Sequence, residues 1–137
     1  MKSRRSLKGE EKYYIADLGL YFSLNTDNRI NYGPVLENIV YLYARMHDYS
    51  VSVGRIGRHE CDFIVRDDDM NYAYIQVSLS IADRSTEDRE YVSLENIKDA
   101  YPKYLLTNDK LLQKRSGVLH ENLIKFINTN RQFAFGK

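Results

Sequence analysis

Five polar residues have types and spacings that could do chemistry: Glu37, Glu60, Asp62, Gln76 and Ser78. Asp62 interrupts an otherwise apolar run, Cys61 to Arg66. Gln76 and Ser78 lie two apart in a β-rich run, so on a strand both point to the same side. A turn at Asp67-Asp-Asp-Met-Asn71 folds one run back on the other and brings Asp62 close to that pair. Glu37 stands one helical turn before Val40 and two before Ala44, on the border of an apolar stripe. Carboxylates and amides converging on one side, facing the helix that bears Glu37, are how oxygen ligands gather around a hard divalent cation. Such a cation can orient a water for attack on a phosphodiester. The plainer reading is that Asp62 pairs with Arg55 or Arg58 and Glu37 is a surface charge, since short motif matches have many chance occurrences.

These residues need elements to position them. Gly33 and Pro34 suit a helix start, as N-cap and first helical residue, because the missing N–H of proline costs nothing there. Leu36, Ile39, Val40, Tyr43, Ala44 and His47 then recur at helical spacing. Three strands follow, at Ser50–Ile56, Cys61–Arg66 and Tyr72–Leu79. A second helix is expected from Asp83 to about Lys98, with Ser85 as its cap and Tyr91, Leu94 and Ile97 as its buried stripe. Pro102 precedes a short strand, Lys103–Thr107. Gly117–His120 reads as a weaker strand and Asn122–Asn130 as a last amphipathic helix. The order is an αβββαβ core: an α/β fold with a mixed sheet flanked by helices. Tyr13–Phe22 is apolar and fits either a strand or a helical turn.

The 137 residues suit one domain, taken as 13–137 behind a basic, disordered tail at 1–12. No apolar run approaches the length of a membrane span, and the basic start, with no apolar stretch behind it, is not a secretory signal. A single cysteine, Cys61, can neither staple the fold nor build a zinc site, which points to the cytoplasm. Flanked by apolar strand residues, it reads as buried and inert. The net charge of +1 argues against a dedicated nucleic-acid coat protein. A local patch at Lys110, Lys114 and Arg115 remains a candidate nucleic-acid contact, the bland alternative being a solvated loop. Gly54-Arg-Ile-Gly57-Arg-His lacks the ending of a phosphate loop, and the scattered His47, His59 and His120 read as structural. Twelve tyrosines without a tryptophan suggest half-buried faces and a neighbour to cover them.

Taken together, Gly33-Pro34 with Glu37-Asn38, Glu60-Cys-Asp62-Phe63 and Tyr74-Ile-Gln76-Val-Ser78 resemble the PD-(D/E)XK, restriction-endonuclease-like superfamily. More narrowly, Tyr14-Ile-Ala-Asp17-Leu-Gly19, Arg89-Glu90 and Tyr101-Pro-Lys103-Tyr-Leu-Leu-Thr107-Asn-Asp109 look like the C-terminal, functionally uncharacterised domain of prokaryotic AAA-type ATPases. That likeness runs from about Lys12 to Ile127. The resemblance implies Glu37 as the helix carboxylate, Asp62 as the metal-binding aspartate and Gln76 in place of the acidic residue of the E-x-K element. The lysine of that element falls on Ser78, which cannot supply the positive charge that stabilises an attacking hydroxide. The resemblance therefore implies a degenerate site and an accessory domain without catalysis. Its partners would be an AAA-type ATPase region in the same or a neighbouring chain, and DNA, with no membrane. No cofactor is expected; magnesium or manganese, held by Asp62 and Gln76, would be needed only if the domain were an active metal-dependent endonuclease.

Overall fold

The computed structural model describes residues 33–56 and 59–133, with side chains at 35–53 and 61–133. The basic tail, Tyr13–Phe22, Arg58 and the side chains of Arg55 and Glu60 lie outside the described residues, and so does the pairing of Asp62 with either arginine.

The expected order is present. Helix α1 spans Gly33–Met46, and strands β1 (Ser50–Ile56), β2 (His59–Arg66) and β3 (Tyr72–Val77) follow it. Then come α2 (Arg84–Glu95), β4 (Lys103–Thr107), β5 (Lys114–Arg115), β6 (Val118–Asn122) and α3 (Leu123–Asn128). The six strands form one mixed sheet in the order β1-β2-β3-β4-β6-β5. The β1–β2, β2–β3 and β5–β6 pairs are antiparallel, and β3–β4 and β4–β6 are parallel. Helix α2 is the crossover that parallel β3 and β4 require.

Alternation along the strands feeds two cores. Leu36, Ile39, Val40, Tyr43 and Ala44 of α1 pack with Phe63, Val65, Ala73, Ile75, Val77, Tyr104 and Leu106, and α3 adds Leu123 and Phe126 on the same face. On the opposite face, Tyr91, Leu94 and Ile97 meet Cys61, Tyr74, Leu105 and Val118. Both expected stripes are thus buried, except that His47 lies beyond the end of α1 and is half-buried. Tyrosine departs from its expected half-buried role, since Tyr43, Tyr91 and Tyr104 are fully buried. Tyr43 can go under because its hydroxyl donates to the carbonyl of Arg131, so no wet edge is needed.

Strand and helix ends differ from expectation by one or two residues in β2, β3, β6 and α3, and three further differences have a clear cause. Helix α2 is capped by Asp83 rather than Ser85: its carboxylate accepts the Thr86 N–H at 3.2 Å, and the Ser85 hydroxyl merely donates to that carboxylate. A carboxylate is also favoured at the positive end of the helix. The same helix ends at Glu95, with Asn96 as its C-cap, short of Lys98. Finally, Lys114–Arg115, expected as loop, pairs with β6. Ser116 and Gly117 both take positive φ, 54° and 72°, as the two central residues of a tight hairpin do.

Candidate functional site

The pairing of β1 with β2 contains one irregularity. Val53 lies opposite Phe63, but its neighbour Gly54 lies opposite Cys61, which leaves Asp62 as an extra residue in β2. Such a bulge reverses the alternation. Phe63 faces α1, whereas Cys61, two residues away, faces α2. Asp62 is freed from the ladder and turned toward the end of β3, where its Oδ2 accepts the Val77 N–H at 2.8 Å.

From this point a polar chain runs from α1 to α2. The Glu37 side chain of α1 comes near enough to raise the Asp62 carboxyl pKa. The backbone N–H of Asp62 donates to Gln76 Oε1 at 2.6 Å, and Gln76 Nε2 donates to Glu90 Oε2 on α2 at 2.7 Å. Gln76 and Glu90 are both buried. Burial, opposed by the Val77 hydrogen bond and reinforced by the Glu37 and Glu90 charges, pushes the Asp62 carboxyl up to about 6. Among the described residues the cation paired with this cluster is Arg89, 3.7 Å from Glu90 Oε1 and 72% exposed. An ion pair of that kind contributes little.

The expected residues are thus distributed differently from the sequence reading. Glu37, Asp62 and Gln76 do come together. Gln76, however, lies between Ile75 and Val77 in the strand and so turns to the α2 face, away from the helix bearing Glu37. Ser78 does not join them: its hydroxyl donates to the Ser80 carbonyl at 3.2 Å, and its N–H to Leu106. The metal pair Asp62 and Gln76 does not fit as expected either. The Gln76 oxygen is already taken by the Asp62 N–H, and among the described residues no three His, Cys, Asp or Glu groups stand ready to hold an ion. Glu90 was not expected in the cluster. Its signal was the spacing Glu90, Leu94, Ile97, which places the carboxylate in line with the buried stripe.

Cys61 is buried, and burial first of all pushes its thiol up to about 11, so it is unreactive as expected. The basic patch is reduced. Lys110 and Lys114 are exposed. Arg115 instead binds Asp88 at 2.7 Å and Glu95 at 3.1 Å, approaches Glu87 at 3.8 Å, and lies over the Tyr91 ring. Its charge is balanced within the chain.

A second polar cluster occupies the ends of β4 and β6. The Gln113 N–H donates to His120 Nδ1 at 2.9 Å, so Nε2 carries the proton and donates to Thr107 Oγ1 at 2.8 Å. Asp109 accepts the Ser80 hydroxyl and, at 2.8 Å, the Ile81 N–H. Its carbonyl accepts Asn122 Nδ2 at 3.0 Å. Burial holds the His120 ring below its ordinary pKa, that is, neutral. This cluster pins the β3–α2 connection to the sheet, which makes His120 structural.

Comparison with known proteins adds one relative. A protein of Haemophilus influenzae, described as uncharacterised, is 36% identical over 107 residues. The match takes in 78% of this chain, and the chain spans about a quarter (26%) of that protein's length. No family model matches, and no solved structure does.

Proposed function

We propose that this domain is a degenerate, restriction-endonuclease-like accessory module of an AAA-type ATPase, acting in the cytoplasm and docking nucleic acid or protein without catalysis. The αβββαβ order around a mixed sheet supports the superfamily reading. The similarity to a quarter of a longer Haemophilus chain supports reading the domain as one part of a larger protein. No helix among the described residues is long and apolar enough to cross a membrane.

The observation that carries the non-catalytic reading is the saturation of Gln76. Its oxygen serves the Asp62 N–H and its amide serves Glu90, while the position where a lysine would stand is Ser78, turned to Ser80. Gln76 thus has no free oxygen to offer a metal ion, and Ser78 brings no positive charge for phosphodiester chemistry. Incubating the protein with plasmid, single-stranded and branched DNA in manganese should give no cleavage. The second reading, an active metal-dependent nuclease, is favoured by the Glu37–Asp62 pair and the buried Glu90, three acids held together at a cost in burial. Cleavage that disappears in Asp62→Ala would establish that reading instead. If docking is to nucleic acid, affinity falls steeply with salt and drops when Lys110 and Lys114 are changed to glutamate. Salt-independent binding points to protein.

A further inference from the structure

The two edges of the sheet are unlike. At one edge β5 is two residues long and carries Lys114 and the ion-paired Arg115. Short, charged edges are one way sheets avoid joining other sheets. At the other edge β1 runs for seven residues, Ser50–Ile56, with β2 on its inner side and no described strand on its outer side. Its first four residues, Ser-Val-Ser-Val, bring neither charge nor proline to that edge. The bulge opposite adds its extra residue to β2, so β1 contributes one residue at every step. Val53, facing the α1 side with Phe63 opposite it, is 82% exposed. Tyr41 of α1, with its ring 6.5 Å from that of Phe63, is 42% exposed. An open backbone ladder therefore lies beside an uncovered apolar strip.

We propose that β1 pairs antiparallel with β1 of a second copy of this chain, joining the two sheets into one. The strand is suited to itself. About a two-fold axis at Val53 all seven residues find partners: Ser50 meets Ile56, Val51 meets Arg55, and Ser52 meets Gly54. The single charged residue of the strand, Arg55, faces a valine rather than its own copy, so no like charges are opposed. The two Val53 side chains meet on the axis and the exposed Tyr41 rings flank them. The first four residues of the strand offer no charge to select a foreign strand. The proposal is independent of whether the acidic cluster acts on nucleic acid.

Sedimentation velocity on the purified protein over a concentration series tests it. The wild type should show the mass of two chains, falling to one on dilution. Val53→Lys and Val53→Glu, each at an exposed position, should run as single chains, and an equal mixture of the two should recover the two-chain mass, because lysine then faces glutamate across the axis. Tyr41→Lys, on a separate element, should weaken association as well. Leu119→Lys, an exposed position next to the other edge, should leave it intact. A wild type that stays single at every concentration overturns the proposal. So does Val53→Lys associating like the wild type, or association lost in Leu119→Lys alone.

Discussion

Two buried polar clusters stand at the ends of neighbouring parallel strands, and they are assembled differently. Around His120 each described donor meets a neutral or singly charged acceptor. Gln113 N–H, the ring, Thr107, Ser80 and Ile81 N–H close on one another with a single carboxylate, Asp109. Around Asp62 three carboxyl groups meet one backbone N–H, that of Val77, and one amide, that of Gln76, with a solvated arginine at the rim. The first arrangement is what a fold uses to fix a loop. The second carries more negative charge than its surroundings neutralise, and stability alone gives no reason to keep it.

The contrast can be broken by substitution. Gln76→Leu should have the largest effect, since it orphans the Asp62 N–H and strands the Glu90 carboxylate. A loss of about 2–4 kcal/mol in urea unfolding is expected. His120→Leu leaves the Gln113 N–H and the Thr107 hydroxyl without their partner and should cost about 2 kcal/mol by the same measurement. If His120→Leu costs the more, the two clusters have been ranked wrongly.

The smallest effect has the opposite sign and sharpens the comparison through pH. Asp62 is held above its ordinary 3.8, at about 6, so between those values the folded chain binds more protons than the unfolded one. Its contribution is therefore present at low pH and lost as pH rises through that window. His120 is held below its ordinary 6.5, so its contribution is present above that pH and lost as pH falls. Asp62→Asn keeps an oxygen for Val77 N–H and an amide for Glu37. It should raise stability at neutral pH by about 1 kcal/mol, after allowance for partial exposure, and flatten the slope between pH 4 and about 6. Urea midpoints that keep that slope in Asp62→Asn would place the proton elsewhere.

Much of the fold was legible because periodicity reports burial. The stripe from Leu36 to Ala44, the Asp67 turn, the strand at Lys103–Thr107 and the helix after Asp83 all appear where hydrophobic spacing and turn chemistry place them. The candidate site was legible only in part. Glu37, Asp62 and Gln76 were found by residue type, but simple alternation could not show that a bulge re-aims Asp62 and that Gln76 belongs to the far face. Glu90 was passed over because a charge beside Tyr91 reads as solvated, although its spacing to Leu94 placed it inward. Arg115 was misjudged for a related reason. A cluster of like charges in sequence says nothing about the acids that a neighbouring helix, here Glu87, Asp88 and Glu95, brings to meet it.

The extra residue in β2 has a consequence for how this chain can change over time. Substituting Asp62 alters a charge, but deleting it would let β1 and β2 zip without a skip. Nothing upstream in β2 would turn over, since Cys61 would adjoin Phe63 directly and still meet Gly54. Cys61 would stay in the α2 layer, because adjacent strand residues face opposite sides and Phe63 faces α1. Loss of one codon at this point would therefore remove the carboxylate and keep the register of both strands, a milder event than a deletion in the regular ladder beyond it.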